Sequence, residues 1–369
     1  MSALSMAPPR AVLTVVGARP QFIKAAAVSR VIEARAAIRE VIVHTGQHFD
    51  ENMSAIFFQE MEIPAPAYSL DIHGLGHGAM TGRMLEQLEE VLLRERPRAV
   101  MVYGDTNTTL AGALAAVKLH VPVVHVEAGL RSFKMQMPEE VNRILTDRVS
   151  SVLCCPTRTA LANLRREGYE GFGCRIELTG DVMQDAARYY AEKSAGRATA
   201  MKRLRLDGKR FALCTIHRAE NTDDGARLTS ILGAIDIVAA EMPVVLPLHP
   251  RTRAVMERVG LGTAALAIEP VGYFDMLQLL TRCAIVLTDS GGLQKEAFFF
   301  RKPCVTLRDE TEWLELVEGG FNIVAGADCE RIIGAYRRML GSRPDFNQDL
   351  YGSGRASERI ASLLEETCG

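Results

Sequence analysis

Carboxylate side chains follow two short hydrophobic runs in the first half of the chain. Asp105 comes shortly after one run and Glu127 after the next, and a proline further along favours a helix whose first turn holds Glu139 and Glu140. Asp105 could simply cap a helix, and acidic residues also suit the positive end of a helix dipole. Carboxylates that crowd together, however, raise one another's pKa, which general acid–base catalysis near neutral pH requires. These residues are therefore candidates for proton transfer.

A turn suited to phosphate lies in the second half of the chain. Ser290, Gly291 and Gly292 follow a hydrophobic run and open a helical pattern that contains Glu296. Serine can cap the helix, and glycines let a ligand approach the exposed N–H groups, which together with the helix dipole favour a diphosphate. Glu296 could then accept both hydroxyls of a ribose. A well-capped helix with a tight entry would explain the same residues without a ligand.

Cations and imidazoles follow three other hydrophobic runs. Arg19 and Lys24 come after the first run, where an arginine favours contact with a ligand anion over a purely solvated position. His217 and His249 occupy equivalent places after two later runs. Each histidine could be a packing residue, or could donate a hydrogen bond to a phosphate or carry a proton.

Elements that position these side chains are visible in the hydrophobic pattern. Short runs rich in β-branched residues alternate with longer segments of helical period such as 25–36, 80–93, 110–119 and 228–240, which predicts an α/β fold with parallel sheets covered on both faces. Ligands bind at the carboxyl ends of the strands in such sheets. The predicted strands are 11–16, 40–44, 99–103, 121–126, 151–154, 175–178, 211–215, 243–246, 264–268, 284–287, 303–306 and 321–323.

Two series of six strands indicate two doubly wound domains rather than one barrel. We predict an N-terminal domain over 1–185 and a C-terminal domain over 186–351, joined somewhere within 183–207. The last segment, 352–369, is predicted to be a helix that could cross back to the first domain.

Composition excludes several classes of protein. The 369 residues are 48% hydrophobic and 24% charged, and 43 Lys and Arg against 45 Asp and Glu give a net charge of −2, so we expect neither nucleic acid nor a membrane as a partner. The eight cysteines show no spacing typical of a metal site or of a disulfide framework, and the G-x-G-x-x-G and Walker motifs are missing. We expect a cytoplasmic protein without a metal or a cofactor.

Seven motifs occur in one order across nearly the whole chain. They are Gly17-Ala18-Arg19-Pro20, Thr45-Gly46-Gln47-His48, Gly104-Asp105-Thr106, Val126-Glu127-Ala128-Gly129-Leu130-Arg131, Pro138-Glu139-Glu140, His217-Arg218 and Asp289-Ser290-Gly291-Gly292. This set resembles the non-hydrolysing UDP-N-acetylglucosamine 2-epimerase family. The amino-acid sequences of three segments, 18–24, 71–81 and 215–223, are more similar to those of a subgroup that acts on UDP-2,3-diacetamido-2,3-dideoxy-glucuronate. The resemblance implies two Rossmann-like domains of the glycosyltransferase-B type facing a cleft, and commonly a homodimer.

The resemblance also assigns roles to residues. Those that match the family's catalytic positions are Asp105, Glu127, Glu139 and His217. Those that match its UDP-binding positions are Arg19, Lys24, Ser290, Gly291, Gly292 and Glu296, with Tyr273 and Met276 in the segment that packs the uracil. Gln47 and His48 match a segment linked to allosteric activation, although the stretch 71–81 departs from the activated members. A carboxylate at C6 of the sugar would want a cation, which Arg131, Arg143 or Lys134 could supply.

The implied reaction is elimination of UDP to a 2-acetamidoglucal, followed by re-addition with the proton on the opposite face of C2. The first expectation is conversion of UDP-GlcNAc to UDP-ManNAc for cell-surface polysaccharides, and the alternative is the same reaction on the diacetamido uronate for O-antigen synthesis. A glycosyltransferase using the same fold, a hydrolytic 2-epimerase that releases the free sugar, and a nucleotide-sugar binding module without catalysis are more distant alternatives, because a fold alone does not decide between activities.

Overall fold

The computed structural model describes residues 10–47, 64–194 and 196–369. Within them the chain forms two compact units, one made of the described residues up to Ala186 together with Asp349–Gly369, and the other of the described residues between Ala187 and Gln348. The predicted boundaries at 185/186 and 351/352 differ from these by one and three residues. The first boundary falls inside a helix, within the predicted joining segment 183–207.

The first unit is built on a parallel sheet of seven strands. In chain order they are β1 (Arg10–Val16), β2 (Ile38–His44), β3 (Tyr68–Ser69), β4 (Ala99–Tyr103), β5 (Val123–Val126), β6 (Val152–Cys155) and β7 (Arg175–Leu178). The helices that connect them are α1 (Arg19–Arg35), α2 (His77–Glu95), α3 (Asn107–Lys118), α4 (Pro138–Val149), α5 (Arg158–Arg166) and α6 (Val182–Ser194). The sheet order is β3-β2-β1-β4-β5-β6-β7, which reverses direction at β1 and β4.

The second unit has a parallel sheet of six strands. They are β8 (Ala212–Thr215), β9 (Val244–Pro247), β10 (Leu266–Ile268), β11 (Ile285–Thr288), β12 (Cys304–Thr306) and β13 (Asn322–Val324). The helices are α7 (Ala200–Arg203), α8 (Ala219–Thr222), α9 (Gly225–Glu241), α10 (Pro250–Val259), α11 (Tyr273–Arg282), α12 (Gly291–Phe299), α13 (Leu314–Glu318) and α14 (Cys329–Gly341). The order β10-β9-β8-β11-β12-β13 reverses at β8 and β11.

The chain then returns to the first unit through α15 (Ala356–Cys368). This helix packs on α1, where Arg35 donates hydrogen bonds to Ser362 and Glu365. Its apolar side, including Ile360 and Leu364, is buried.

Both sheets are hydrophobic on both faces because helices cover each side. Leu13 and Val15 of β1, and Val286 and Leu287 of β11, are completely inaccessible to solvent. Such continuous hydrophobic strands are typical of parallel sheets. The predicted α/β fold with parallel sheets is therefore confirmed.

All twelve predicted strands are present, each within two residues of its predicted ends. Strand β3 was not predicted, because two residues are too few to show an alternating pattern. The four helices named from periodicity each begin three to six residues earlier than predicted. Their first turns are mostly polar or small, so the apolar period becomes visible only after the helix has begun. No helix in the described part of the chain has the length and apolar character to cross a membrane.

Candidate active site

The carboxylates of the first unit lie at the carboxyl edge of its sheet, next to the point where the strand order reverses. Asp105 follows β4, and Glu127 follows β5. Glu127 has a φ of 74°, in the left-handed region that side chains other than glycine avoid. The N–H groups of Glu127 and Ala128 both donate to the carbonyl oxygen of Cys154, at 3.1 Å each, and hold this conformation. A strained, hydrogen-bonded acidic residue at a ligand-binding edge is typical of a functional site.

Asp105 is paired with a cation. Its Oδ2 accepts a hydrogen bond from Arg143 Nη1 at 2.6 Å, and 30% of the aspartate side chain is exposed. Burial raises the pKa of Asp105, Arg143 opposes the rise, and Glu127 adds to it. The group therefore keeps a proton at higher pH than an ordinary aspartate.

Glu127 forms a close ion pair with Lys24 of α1. Glu127 Oε2 lies 2.6 Å from Lys24 Nζ, and the two side chains are only 12% and 8% exposed. Both were predicted site residues, and the structure brings them together at the same sheet edge.

Glu139 and Glu140 are adjacent in the first turn of α4 but differ in environment. Glu139 is exposed, whereas Glu140 is buried. Glu140 accepts hydrogen bonds from the main-chain N–H groups of Ser132 and Phe133, at 2.9 Å each, and from Arg143. Although burial would raise the pKa of Glu140, these donors lower it below the ordinary value. Glu140 is thus a fixed anion that holds Arg143, and Glu139 is the accessible carboxylate.

Sequence reasoning missed the buried network beneath Asp105. His125 of β5 has Nδ1 2.7 Å from Asp147 Oδ1 and Nε2 2.7 Å from the carbonyl oxygen of Gly104. The ring thus spans two buried hydrogen-bond acceptors, a carboxylate on one side and a main-chain carbonyl oxygen on the other. The ring therefore anchors the peptide that directly precedes Asp105. The histidine stands two residues before Glu127, and its place inside a strand gave no signal of this role.

Arg131 was one of three cations suggested for a C6 carboxylate, and in the structure it pairs with two carboxylates of the protein. Its guanidinium is almost fully buried and binds Asp147 at 2.7 Å and Glu167 at 2.8 Å. Arg143 is likewise engaged, between Asp105 and Glu140. Of the three predicted cations, Lys134 is the exposed residue.

Gln21 is a second residue that sequence reasoning missed. Its Oε1 accepts from the N–H groups of Gly17 and Ala18, at 2.8 and 3.0 Å, and its Nε2 donates to the carbonyl oxygen of Tyr103 at 2.8 Å. The buried amide thereby fixes the β1–α1 turn to the end of β4. The same turn leads into Arg19, of whose side chain the structure describes nothing. Gln21 directly follows the motif Gly17-Ala18-Arg19-Pro20, and that position could have identified it.

Gln47 and His48 were predicted as allosteric residues. Gln47 Oε1 accepts from the N–H and the hydroxyl of Thr108, at 3.0 and 2.9 Å, and so caps α3. His48 lies outside the described residues. Their allosteric role stays a prediction.

The predicted phosphate turn of the second unit lies at the carboxyl end of β11. Ser290 is the N-cap of α12, and its Oγ accepts from the N–H of Leu293 at 3.4 Å. Gly291 and Gly292 are the first two residues of that helix, where N–H groups have no acceptor within the helix. Together with the positive end of the helix dipole they form an arrangement that suits a phosphate.

Asp289, just before this turn, holds His217. The carboxylate is completely buried and accepts from the N–H groups of His217 and Arg218 and from the side chain of Asn221. His217 Nδ1 lies 3.2 Å from Asp289 Oδ1. Burial would raise the pKa of Asp289, but the hydrogen bonds and the His217 ring outweigh burial and hold it below the ordinary value. We did not predict Asp289 as a site residue, although it begins one of the seven motifs.

The remaining predicted residues of the second unit have structural contacts of their own. His249 is the N-cap of α10, and its ring lies 6.1 Å from that of His217. Tyr273 donates a hydrogen bond from its hydroxyl to Glu296 Oε1 at 3.1 Å, and both residues are buried. Met276 packs against the hydrophobic core of the unit. Their contacts with a ligand stay predictions.

A model of the family described as UDP-N-acetylglucosamine 2-epimerase matches residues 30–365. The chain belongs to this family. Over 354 residues it is 57% identical to a UDP-2,3-diacetamido-2,3-dideoxy-D-glucuronate 2-epimerase of Pseudomonas aeruginosa, covering 96% of this chain and 99% of that protein. It is 42% identical over 361 residues to a UDP-N-acetylglucosamine 2-epimerase of Methanocaldococcus jannaschii, covering 95% and 97%.

A crystal structure of the Methanocaldococcus jannaschii UDP-GlcNAc 2-epimerase in complex with UDP-GlcNAc and UDP has the same fold. Its TM-score is 0.84 at 41% identity, and the match covers 96% of this chain and 99% of that one. The predicted family, the isomerase class and C2 epimerisation of a UDP-sugar are therefore confirmed, and the glycosyltransferase fold type is that of the family. Among the described residues no group of His, Cys, Asp and Glu is arranged to hold a metal ion.

Proposed function

We propose that this 2-epimerase acts on UDP-2,3-diacetamido-2,3-dideoxy-glucuronate and inverts C2 of that sugar. The proposal rests on one observation: the chain is 57% identical to an enzyme named for this substrate and 42% identical to one named for UDP-GlcNAc, each over nearly the whole length. The substrate that was the alternative in the sequence analysis therefore becomes the first choice.

The reaction begins with departure of UDP. A proton on C2 beside an acetamido group is not acidic, so the C1–O bond breaks first and its electron pair leaves with the diphosphate. Stabilising that anion is the largest contribution a protein can make to such a step. The N–H groups of Gly291 and Gly292 and the ring of His217, oriented by Asp289, supply it. Glu296 binds the ribose.

Loss of the C2 proton to a carboxylate then forms the double bond of the 2-acetamidoglucal. UDP adds back to C1 while a proton returns to the opposite face of C2, so atoms and charges balance over the cycle. Two acid–base groups suit these steps better than one, because the proton leaves one face of C2 and returns to the opposite face. Asp105, whose pKa burial raises above that of an ordinary aspartate, and the accessible Glu139 are our candidates, with Glu127 held beside them by Lys24.

Recognition of the sugar's C6 carboxylate needs a cation. Because Arg131 is buried in its own ion pairs, we assign this contact to Lys134, an exposed residue of the loop before α4. Lys134→Met should raise KM for the uronate and leave KM for UDP-GlcNAc unchanged.

The test compares the two nucleotide sugars with the purified enzyme in D2O, followed by proton NMR. We expect turnover of the diacetamido uronate with deuterium at C2, and far slower turnover of UDP-GlcNAc. Preference for UDP-GlcNAc would contradict the substrate, and product without deuterium would contradict the mechanism. UDP accumulating in step with free sugar would identify a hydrolytic enzyme.

We also propose that the enzyme is a homodimer and acts in the cytoplasm. Family members are commonly dimers, and a nucleotide sugar made for a surface polysaccharide is a cytoplasmic metabolite. Light scattering of the purified chain would give the mass of the particle and decide the oligomeric state.

A further inference from the structure

The chain contains a single tryptophan, and it lies beside the first turn of α12. The indole N–H of Trp313 donates a hydrogen bond to the carbonyl oxygen of Gly291 at 2.9 Å. The ring is 6% exposed. Lys295, also buried, places its Nζ 4.1 Å from the ring centroid.

The first turn of α12 needs such support. Helix ends fray, and two consecutive glycines make this end looser still, since glycine gives up more conformational freedom on ordering than any other residue. The peptide unit between Gly291 and Gly292 is trans, so its carbonyl oxygen and its N–H point in opposite directions. By holding the oxygen of Gly291, Trp313 also fixes the direction in which the N–H of Gly292 points.

The fold itself does not require glycine at either position. A Cβ placed on Gly291 would come no closer than 3.6 Å to Glu312 or Trp313, and one on Gly292 would lie 3.9 Å from Ser290 Oγ. Both are ordinary van der Waals distances, and neither residue has a positive φ. The glycines are therefore best explained by the approach of something outside the chain to their N–H groups.

Trp313 is itself anchored to the same helix. Its main-chain N–H donates to Thr311 Oγ1 at 3.2 Å, and that hydroxyl donates to Gln294 Oε1 at 2.7 Å. The loop before α13 is thus attached to α12 at two points, one turn apart. This attachment makes the indole a fixed support rather than a mobile side chain.

We propose that Trp313 is a positioning residue for the diphosphate: its indole N–H holds the first peptide of α12 so that the glycine N–H groups are ordered before the ligand arrives. The inference rests on the proposed function, because it takes the turn Ser290–Gly292 to be where the diphosphate binds. Trp313 acts through Gly291 and makes no contact with the reacting atoms.

Trp313→Phe tests this role, because phenylalanine keeps an aromatic face against Lys295 and removes only the hydrogen-bond donor. Calorimetric titration with UDP should show roughly fivefold weaker binding, the effect of one ordinary hydrogen bond, while binding of uridine, which has no phosphate, stays unchanged. KM should rise by the same factor with kcat nearly constant, as expected when binding is lost equally from the ground and transition states.

The wild-type enzyme offers a second measurement that needs no variant. Since Trp313 is the sole tryptophan, UDP should change the emission of the protein, and uridine should not. Equal UDP affinity in wild type and variant, or an equal loss of UDP and uridine binding, would overturn the inference alone. Failure of the wild type to bind UDP would instead overturn the proposed function.

Discussion

Replacing Asp289 with asparagine should lower the free energy of unfolding of the second unit by roughly 3 kcal/mol, although the two side chains have the same shape. The carboxylate lies beneath the phosphate turn with no exposed surface. It accepts main-chain N–H groups from His217 and Arg218 at 2.9 Å each, and its second oxygen faces His217 Nδ1 at 3.2 Å.

The magnitude follows from these contacts. An asparagine oxygen can keep the two main-chain bonds, but each becomes a neutral bond and loses on the order of 1 kcal/mol. The amide nitrogen would meet the His217 ring donor, which forfeits a charge-assisted bond worth roughly 1.5–3 kcal/mol. Relief of the desolvated charge acts in the opposite direction. Since the pKa of Asp289 is lowered despite burial, the donors outweigh desolvation and the net effect is destabilising.

Urea unfolding followed by Trp313 emission measures the effect, because the sole tryptophan is buried in the second unit. With slopes of roughly 1–3 kcal/mol per molar urea, the midpoint should fall by about 1–3 M. Asp309→Asn is the matched control: it makes the same chemical change in a carboxylate that is 67% exposed and paired with Arg227, and should cost less than about 1 kcal/mol.

The pH dependence of the free energy of unfolding independently tests whether the Asp289 carboxylate stabilises the fold. A carboxyl with a lowered pKa in the folded state contributes stability above its unfolded value of about 3.9, and this contribution is lost as the pH falls through the folded value. The asparagine variant should lack that part of the acid destabilisation. Superimposable urea curves for the Asp289 and Asp309 variants, or an unchanged acid limb, would refute the reasoning.

Three further substitutions test the first unit. Gly17→Ala should destabilise the protein by at least about 1–3 kcal/mol, because its Cβ would lie 2.0 Å from Thr45 Oγ1 and 2.3 Å from Thr108 Oγ1. Gly82→Ala, at a helix position with open space, should instead stabilise the protein by up to about 1 kcal/mol. Equal thermal midpoints for the two variants would contradict both expectations. Asp105→Asn should slow deuterium exchange at C2 by about 100-fold or more without lowering the thermal midpoint at pH 7. Because the pKa of Asp105 is raised in the folded state, the protein loses stability as the pH rises through that pKa. A clear drop in the thermal midpoint of the Asp105→Asn variant would contradict this, because it would show that the ion pair stabilises the fold.

Strands were predictable because burial on both faces leaves an unbroken hydrophobic run that needs no knowledge of partners. Val100 and Val102 of β4 illustrate this, since both are fully inaccessible. The residues after each strand were predictable for the same reason, because a parallel sheet places all of its carboxyl ends at one edge. Asp105 and Glu127 were found in that way.

The supports of the site were not predictable, because they depend on partners far away in the chain. His125 reads as part of a hydrophobic strand, yet its ring bonds Asp147 and Gly104, about 20 residues away in each direction. Gln21 likewise reads as a helix residue but bonds Tyr103, 82 residues further on. The ion pairs of Arg131 were not predictable for the same reason, since its anionic partners lie 16 and 36 residues away.

The return of α15 to the first unit sets an order on biosynthesis. The surface of α1 that this helix covers cannot be closed until the entire second unit has left the ribosome. At usual elongation rates that interval is on the order of ten seconds. During this interval the nascent first unit must stay soluble with that face of α1 exposed, so we expect chaperones in the cell to bind there. A stop codon before residue 356 should therefore yield an aggregating product rather than a smaller enzyme.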